Sequence, residues 1–412
     1  MIIAVFILLI LLHSLISCRL ERTVITAPIL FTAAGMLMTL LPPQMSALGV
    51  ERKELLHLAE LGLAMTLFTD ATHINLQALR RNRNLPVRLL GIGMLPTILL
   101  GAFFAQVLFG GLSVWEAGIL AAILAPTDAG LGEVIVRSPR VPMRIRQSLN
   151  VEAGLNDGLA VPFLMLCIAL APQPSNAAGA VLTRFIKEQI GYGTLVGLGI
   201  GLGGGWLLGV AQRREWMAVA RQKIGLVTLP LLCVVASEAI GASMFIAAFV
   251  AGLVVQCGFA PAGKHAAEFA EDWGQLLDFF VFYLFGWFVG QVWNNFTSSV
   301  VLYAVLSLTV VRMVPVALAL VGTALSRPTV LFMGWFGPRG LASIVLGLVY
   351  LEEQVALPGE PTIRLAVMAT VLLSIFAHGL SALPGIDLYA DKLSCLDSGA
   401  AEFQIGEEEK LI

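Results

Sequence analysis

Residues 114–136 read VWEAGILAAILAPTDAGLGEVIV. The stretch is apolar enough and long enough to cross about 30 Å of hydrocarbon as a helix, yet its centre is Ala125-Pro126-Thr127-Asp128-Ala129-Gly130-Leu131-Gly132. Pro126 removes a backbone donor and crowds the preceding turn, and Gly130 and Gly132 weaken the helix further. An interrupted helix at membrane depth is tolerated only where it is buried in protein or lines a water-filled cavity. A carboxylate there costs at least ~2.5–3.5 kcal/mol on insertion scales. Freed carbonyls and half-helix ends near the midplane are the device with which secondary transporters hold coupling ions.

The rest of the chain supplies the membrane context. Its 412 residues are 58% hydrophobic and 13% charged, with a mean hydropathy of +0.87. A soluble domain carries about a quarter of its residues as Asp, Glu, Lys and Arg, so this chain cannot build an ordinary wetted surface. The net charge of −2 gives no sign of a nucleic-acid partner. Cys18, Cys167, Cys233, Cys257 and Cys395 lack paired spacing and read as small buried hydrophobes. No HExxH is present, and no span carries a histidine near a serine, a cysteine or a paired acid in a recognisable catalytic arrangement, so enzyme chemistry finds no support and no cofactor is expected.

Apolar runs between charged or Pro/Gly-rich breaks give thirteen candidate spans: 2–18, 23–41, 55–74, 87–109, 114–136, 147–170, 189–211, 224–240, 241–260, 275–292, 297–323, 329–350 and 363–384. The eighth and ninth nearly join through Ser237-Glu238, which leaves twelve open. With the N-terminus outside, alternate loops and the tail hold 18 of the 25 Lys and Arg residues, against 5 in the outer loops, the other two being Arg312 and Arg339. That asymmetry predicts N-terminus out and C-terminus in. Arg19 and Arg22 follow the first apolar run rather than precede it, as suits a first span and not a secretory leader.

Candidates for charges deep within the spans are Glu60, Asp70, Asp128, Glu133, Glu152, Asp157, Glu238, Asp278, Arg312 and Arg339. Asp70, Glu133 and Asp278 fall nearer span ends, where snorkelling is cheap. Span 6 carries Asn150-Val-Glu152-Ala-Gly-Leu-Asn156-Asp157-Gly158, with Glu152 and Asn156 on one face at i,i+4 and Asp157 about 100° away. Oxygen ligands of this kind suit a hard monovalent cation, and the same carboxylate can take a proton; with no thiolate or imidazole beside them, a transition metal is disfavoured. Glu152 and Asp157 can equally pair with Arg312 and Arg339 to hold helices together. Span 12 repeats the interruption in Gly337-Pro338-Arg339-Gly340. The breaks lie in the second span of 4–6 and of 11–13, units of opposite orientation, which is the arrangement of an inverted repeat.

Thr127-Asp128 in a broken span, Glu152-(x3)-Asn156-Asp157-Gly158 and Gly337-Pro338-Arg339-Gly340 together resemble the NhaP/NHE branch of the monovalent cation:proton antiporters, the CPA1 family. Leu79-Arg80-Arg81, Arg140-Val-Pro142-Met-Arg144-Ile-Arg146 and Ile246-Ala-Ala-Phe-Val-Ala-Gly252-Leu extend the likeness along the chain. Many relatives carry proline directly after Thr-Asp, where this chain has Ala129. The resemblance implies an all-α membrane protein whose broken spans 5 and 12 cross in an inverted-repeat core, 87–170 with 297–384. A dimerising scaffold, 1–86 with 171–296, would complete a transmembrane domain over 1–384, followed by a short cytoplasmic tail, 385–412. By the same resemblance Asp157 is the shared cation and proton carboxylate, completed by Asp128 and Thr127 and oriented by Asn156. Glu152 pairs with an arginine, Arg312 by its position in span 11, while Arg339 serves the half-helix ends; Asp70 and Glu60 are second-tier or pathway candidates. The expected activity is exchange of Na⁺, with K⁺ or Li⁺ as alternatives, for H⁺ at 1:1, in a prokaryotic plasma membrane and as a homodimer. A Na⁺-coupled symporter of an organic anion is the competing reading, and it needs anion-binding groups beyond the ion site.

Overall fold

Each predicted apolar run contains helix, because a chain with so few surface charges satisfies its backbone internally by helix formation, and the runs 114–136 and 329–350 are interrupted. The computed structural model describes residues 2–20, 23–41, 52–73, 84–128, 130–173, 178–269, 275–352, 357–397 and 399–403; Leu79-Arg80-Arg81, Ala129 and the tail beyond residue 403 lie outside them. In chain order the helices are α1 (Ile2–Leu20), α2 (Ala27–Met38), α3 (Arg52–His73), α4 (Leu85–Leu108), α5 (Val114–Ile123), α6 (Glu133–Arg137), α7 (Met143–Leu170) and α8 (Gly179–Arg213). They continue as α9 (Val219–Ile240), α10 (Met244–Val255), α11 (Ala262–Phe269), α12 (Gln275–Val292), α13 (Ser298–Ala319), α14 (Arg327–Trp335), α15 (Leu341–Glu352) and α16 (Glu360–Leu393). Among the described residues there is no strand. Among the described residues eight helices are long and apolar enough to cross a membrane: α1, α4, α7, α8, α9, α13, α16 and the stretch Gln275–Asn295 that contains α12. Their outer faces expose large side chains such as Ile7, Leu99, Leu195, Leu207 and Leu318, a surface that only lipid or a partner can cover.

Several boundaries differ from the sequence reading. The near-joined spans 8 and 9 are two helices, as the thirteen-span reading has them, but the second starts later: Gly241 adopts φ +67°, the Ala242 amide returns to the Ser237 carbonyl at 2.9 Å, and Ser243 caps α10. Such a left-handed residue is tolerated best by glycine and ends the helix. Glu238 is thereby exposed in the last turn of α9 rather than buried. Glu133 is half-buried and pairs with Arg137 at 2.7 Å. Cys233 alone of the five cysteines is buried; Cys18, Cys257 and Cys395 are exposed. The last helix runs through Pro384 to Leu393, because Ile386, Tyr389 and Leu393 pack with Phe332 and Phe336 and offset the missing donor.

Packing places the interrupted spans inside. Gly197, Gly201 and Gly205 of α8 let α10 approach so closely that a Cβ at any of them would lie within 2.7 Å of its backbone. Helix α10 packs in turn on α3, and both border α7. On the other side α7 packs on α5, α16 packs on α13, and α13 packs on α14.

Candidate functional site

Helix α5 stops at Ile123, just before Pro126, and regular helix resumes only at Glu133. The second interruption falls between Trp335 and Leu341, where Pro338 has no amide to donate. The two breaks meet. The Asp128 amide donates to the Pro338 carbonyl at 2.8 Å. Asp128 Oδ1 accepts the Gly130 and Leu131 amides at 2.7 and 3.1 Å, and Oδ2 accepts the Leu341 amide at 2.5 Å. Its carboxylate thus caps its own turn and the N-terminus of α15, where orphan amides and the helix dipole favour negative charge. Gly340 is what permits this, since a Cβ there would lie 2.0 Å from Oδ2.

Arg339 runs the opposite way. It is fully buried, and Nη1 donates to the carbonyls of Ala125 and Pro126, groups that the break in span 5 leaves without helical partners. Asn156 Nδ2 donates to Thr127 Oγ1 at 2.7 Å, tying α7 to the same segment. One residue on, Asp157 is buried, and no hydrogen-bond donor among the described residues reaches its Oδ1. A Cβ on Gly158 would lie 2.3 Å from the Phe249 ring of α10, so that glycine sets how closely α7 and α10 approach beside Asp157.

Glu152, one turn before Asn156, accepts Arg312 Nη1 at 2.5 Å and Nη2 at 3.0 Å. Arg312 follows a local distortion of α13 at Thr309 (φ −106°, ψ −88°) and precedes Pro315, the usual combination for a bend. Its guanidinium lies against Gly337, where a Cβ would fall 2.2 Å from Nε. The ion pair is buried on both sides.

Asp70 and Glu60 are half-buried on α3. Asp70 packs against α7 at Gly154, where a Cβ would be 3.8 Å from its own Cβ. Asp278 is half-buried on α12. A cavity lined by Thr127, Asp128, Asn150, Ala153, Phe336 and Pro338 lies beside the paired breaks.

Two groups near span 12 escape the sequence reading. His378 is hydrogen-bonded to Ser374, one turn earlier on α16, so a histidine does stand beside a serine within a span; the i,i+4 spacing was the available signal. Glu402, beyond the last helix, accepts the Ser326 amide at 2.7 Å and the Thr329 hydroxyl at 2.8 Å, capping α14. Burial alone would raise its carboxyl, but the hydrogen bonds from Ser326 and Thr329 hold it below the ordinary value.

Comparison with known proteins agrees with this architecture. The chain is 29% identical over 275 residues to a Na⁺/H⁺ antiporter of Schizosaccharomyces pombe, a match covering 61% of this chain and 57% of that protein. It is 26% identical over 336 residues to the Na⁺/H⁺ antiporter ApNhaP of Aphanothece halophytica, covering 78% and 62%. It is 25% identical over 294 residues to the K⁺/H⁺ antiporter NhaP2 of Shewanella oneidensis, covering 65% and 46%. The match therefore spans less than two thirds of the length of each of these relatives. The solved structure of the sodium proton antiporter MjNhaP1 from Methanocaldococcus jannaschii superposes with a TM-score of 0.75 over 96% of this chain and 99% of that one, at 22% identity, and so shares the fold. Residues 4–384 match the family described as "Sodium/hydrogen exchanger, transmembrane", and the chain is a multi-pass membrane protein of the sodium/hydrogen exchanger family.

Proposed function

We propose that this protein exchanges a monovalent cation, Na⁺ or K⁺, for H⁺ across the membrane, with the two competing for Asp157. The observation that carries the reading is the Asp157 carboxylate, which is buried with no donor on Oδ1 among the described residues. A buried carboxylate in that state is costly unless a proton or a cation supplies the missing partner. The charges around the breaks support the stoichiometry. Asp128, Glu152 and Asp157 are buried beside two buried arginines, Arg312 and Arg339. The set is one negative charge in excess, which one Na⁺, one K⁺ or one H⁺ neutralises.

In this reading Asp157 is the shared ligand, and Thr127 offers a hydroxyl and a carbonyl. Asp128 contributes negative charge while holding the two breaks together, and Asn156 positions Thr127. Glu152 and Arg312 form a structural pair, and Arg339 stabilises the freed carbonyls of span 5. Asp70, packed against α7 near the site, and Glu60 form a second tier along the approach. The relatives are named as Na⁺/H⁺ and K⁺/H⁺ antiporters, and a symporter reading gains no support.

The wider arrangement follows the same proposal: thirteen spans with the N-terminus outside and the C-terminus inside, and the interrupted spans 5 and 12 crossing in an inverted repeat. The core, 87–170 with 297–384, moves against the scaffold, 1–86 with 171–296, in a homodimer in a prokaryotic plasma membrane.

Purified protein in liposomes with a preset ΔpH tests the reading. Addition of Na⁺ or K⁺ should dissipate the gradient, and an imposed potential of about 100 mV, worth about 2.3 kcal/mol per charge moved, should leave the rate unchanged. A gradient that no alkali cation dissipates refutes exchange; a rate that follows the potential refutes 1:1 stoichiometry.

A further inference from the structure

His378 lies deep in α16, buried, and touches one lip of the break in span 12 directly and the other through Ser374. Its Nε2 is 2.9 Å from the Trp335 carbonyl, at the last residue of α14. Its Nδ1 is 3.1 Å from Ser374 Oγ and 3.0 Å from the Ser374 carbonyl. Ser374 Oγ accepts the Arg339 amide at 2.6 Å, and the Trp335 indole rests on the imidazole at 4.9 Å between ring centres.

The proton inventory orders these contacts. The Trp335 and Ser374 carbonyls can both only accept, and a neutral ring can donate to one of them; the Ser374 carbonyl already belongs to the backbone ladder of α16, so we place the hydrogen on Nε2, toward the Trp335 carbonyl that the break leaves open. Ser374 Oγ uses a lone pair on the Arg339 amide, which leaves its own proton for Nδ1. The result is a continuous circuit: Arg339 amide to Ser374 hydroxyl, Ser374 hydroxyl to His378 Nδ1, His378 Nε2–H to the Trp335 carbonyl. It fastens residues 335 and 339 to a single uninterrupted helix. From that fixed backbone position the Arg339 side chain spans to the carbonyls of Ala125 and Pro126, the residues immediately before Thr127.

We propose that His378 is a positioning residue for cation exchange: by clamping both ends of the span 12 interruption to α16 it sets the reach of Arg339 and hence the place of the Thr127–Asp128 segment. It touches neither Thr127, Asp128 nor Asp157, and acts only through Ser374, Trp335 and Arg339. The inference rests on the exchanger reading for its functional consequence, but the hydrogen-bond circuit stands without it.

The full chain reconstituted in liposomes tests the proposal, with wild type compared to His378→Leu and His378→Gln. A leucine removes both links, whereas a glutamine amide can still donate to Trp335. The expected result is a rise of about tenfold (about 1.4 kcal/mol, one buried hydrogen bond) in the cation concentration at half-maximal rate for His378→Leu, with most of that loss recovered in His378→Gln. A purely structural histidine would lower the amount of folded, active protein and leave half-saturation unchanged, and that outcome overturns the proposal. So does wild-type exchange in His378→Leu. Nitrogen-15 spectra of the histidine rings in detergent supply an arm independent of transport: the signal lost in His378→Leu, or in His378→Gln if leucine does not fold, should report a protonated Nε2. An Nδ1–H tautomer with bare Nε2 refutes the circuit. A wild-type protein that moves no alkali cation but shows the protonated Nε2 defeats the exchanger reading and leaves the clamp standing.

Discussion

Asp128 and Arg339 belong to different interrupted helices, and each completes the break of the other: the Asp128 carboxylate accepts the Leu341 amide at the start of α15, while Arg339 Nη1 donates to the Ala125 and Pro126 carbonyls before Asp128. Each break therefore supplies the charge that the other's unsatisfied backbone calls for. Two half-open helices become one closed hydrogen-bonded unit.

Gly340→Ala should open that unit. The added Cβ would lie 2.0 Å from Asp128 Oδ2, so the carboxylate must leave the Leu341 amide, a charge-assisted bond worth about 1.5–3 kcal/mol. Thermal unfolding of the detergent-solubilised protein should fall accordingly, and adding Asp128→Asn should cost less than its effect alone, because both remove one contact. An unchanged midpoint for Gly340→Ala would show that the carboxylate does not hold α15.

Asp157→Asn should abolish cation-driven proton movement while the protein stays folded and inserted. The amide removes the group proposed to take either ligand, and no hydrogen bond of Oδ1 to other described residues is lost. In wild type the apparent cation affinity should weaken as pH falls, as competition for one carboxylate requires. Residual exchange at a substantial rate in the variant would move the site elsewhere.

Glu152 and Arg312 should behave as a coupled pair. Removing one partner leaves a buried charge alone, typically costing ~3–5 kcal/mol, whereas replacing both is often near neutral. Glu152→Gln should thus lower unfolding stability more than it shifts cation affinity, and Arg312→Met in addition should recover much of the loss. The same cycle with Arg339, which bonds carbonyls instead, should be close to additive. Strong coupling at Arg339 with none at Arg312 would contradict the geometry.

Glu402 gives a pH dependence outside the membrane. Its carboxyl is held below the ordinary value despite burial, by Ser326 and Thr329. The stability it contributes is therefore fully present above the unfolded-state pKa of about 4.3 and lost as pH falls through the lower folded-state value. Glu402→Gln should reduce stability by roughly 1–3 kcal/mol at neutral pH, with the difference from wild type shrinking as acid protonates the native carboxyl. A difference that grows in acid would contradict the cap.

Much of the architecture is local information. An apolar run followed by a charge, or a proline inside such a run, acts on its own turn, and so the helices, the interruptions at Pro126 and Pro338 and the candidate acids Asp128, Glu152 and Asp157 can all be read in order along the chain. Even Glu238 fails for a local reason that the sequence contains, since Gly241 ends α9 and leaves the acid in an exposed last turn.

Partnership is a different kind of fact. Glu152 and Arg312 are 160 residues apart, and position in span 11 favours Arg312 over Arg339 without fixing the choice; the distortion of α13 at Thr309 and the gap at Gly337 bring Arg312 to the carboxylate. The role of His378 depends on α16 lying behind both lips of a break some forty residues earlier, and that of Glu402 on a segment folding back to the start of α14. The sequence by itself determined where helices form, where they are interrupted and which charges enter the membrane, because those follow from hydrophobic run length and backbone chemistry within a turn. The tertiary structure alone decided which of those charges neutralise one another and which carboxylate oxygen is left over, because an electrostatic partner is chosen by proximity across packed helices, and proximity is set by side-chain volume at crossings such as Gly158, Gly337 and Gly340.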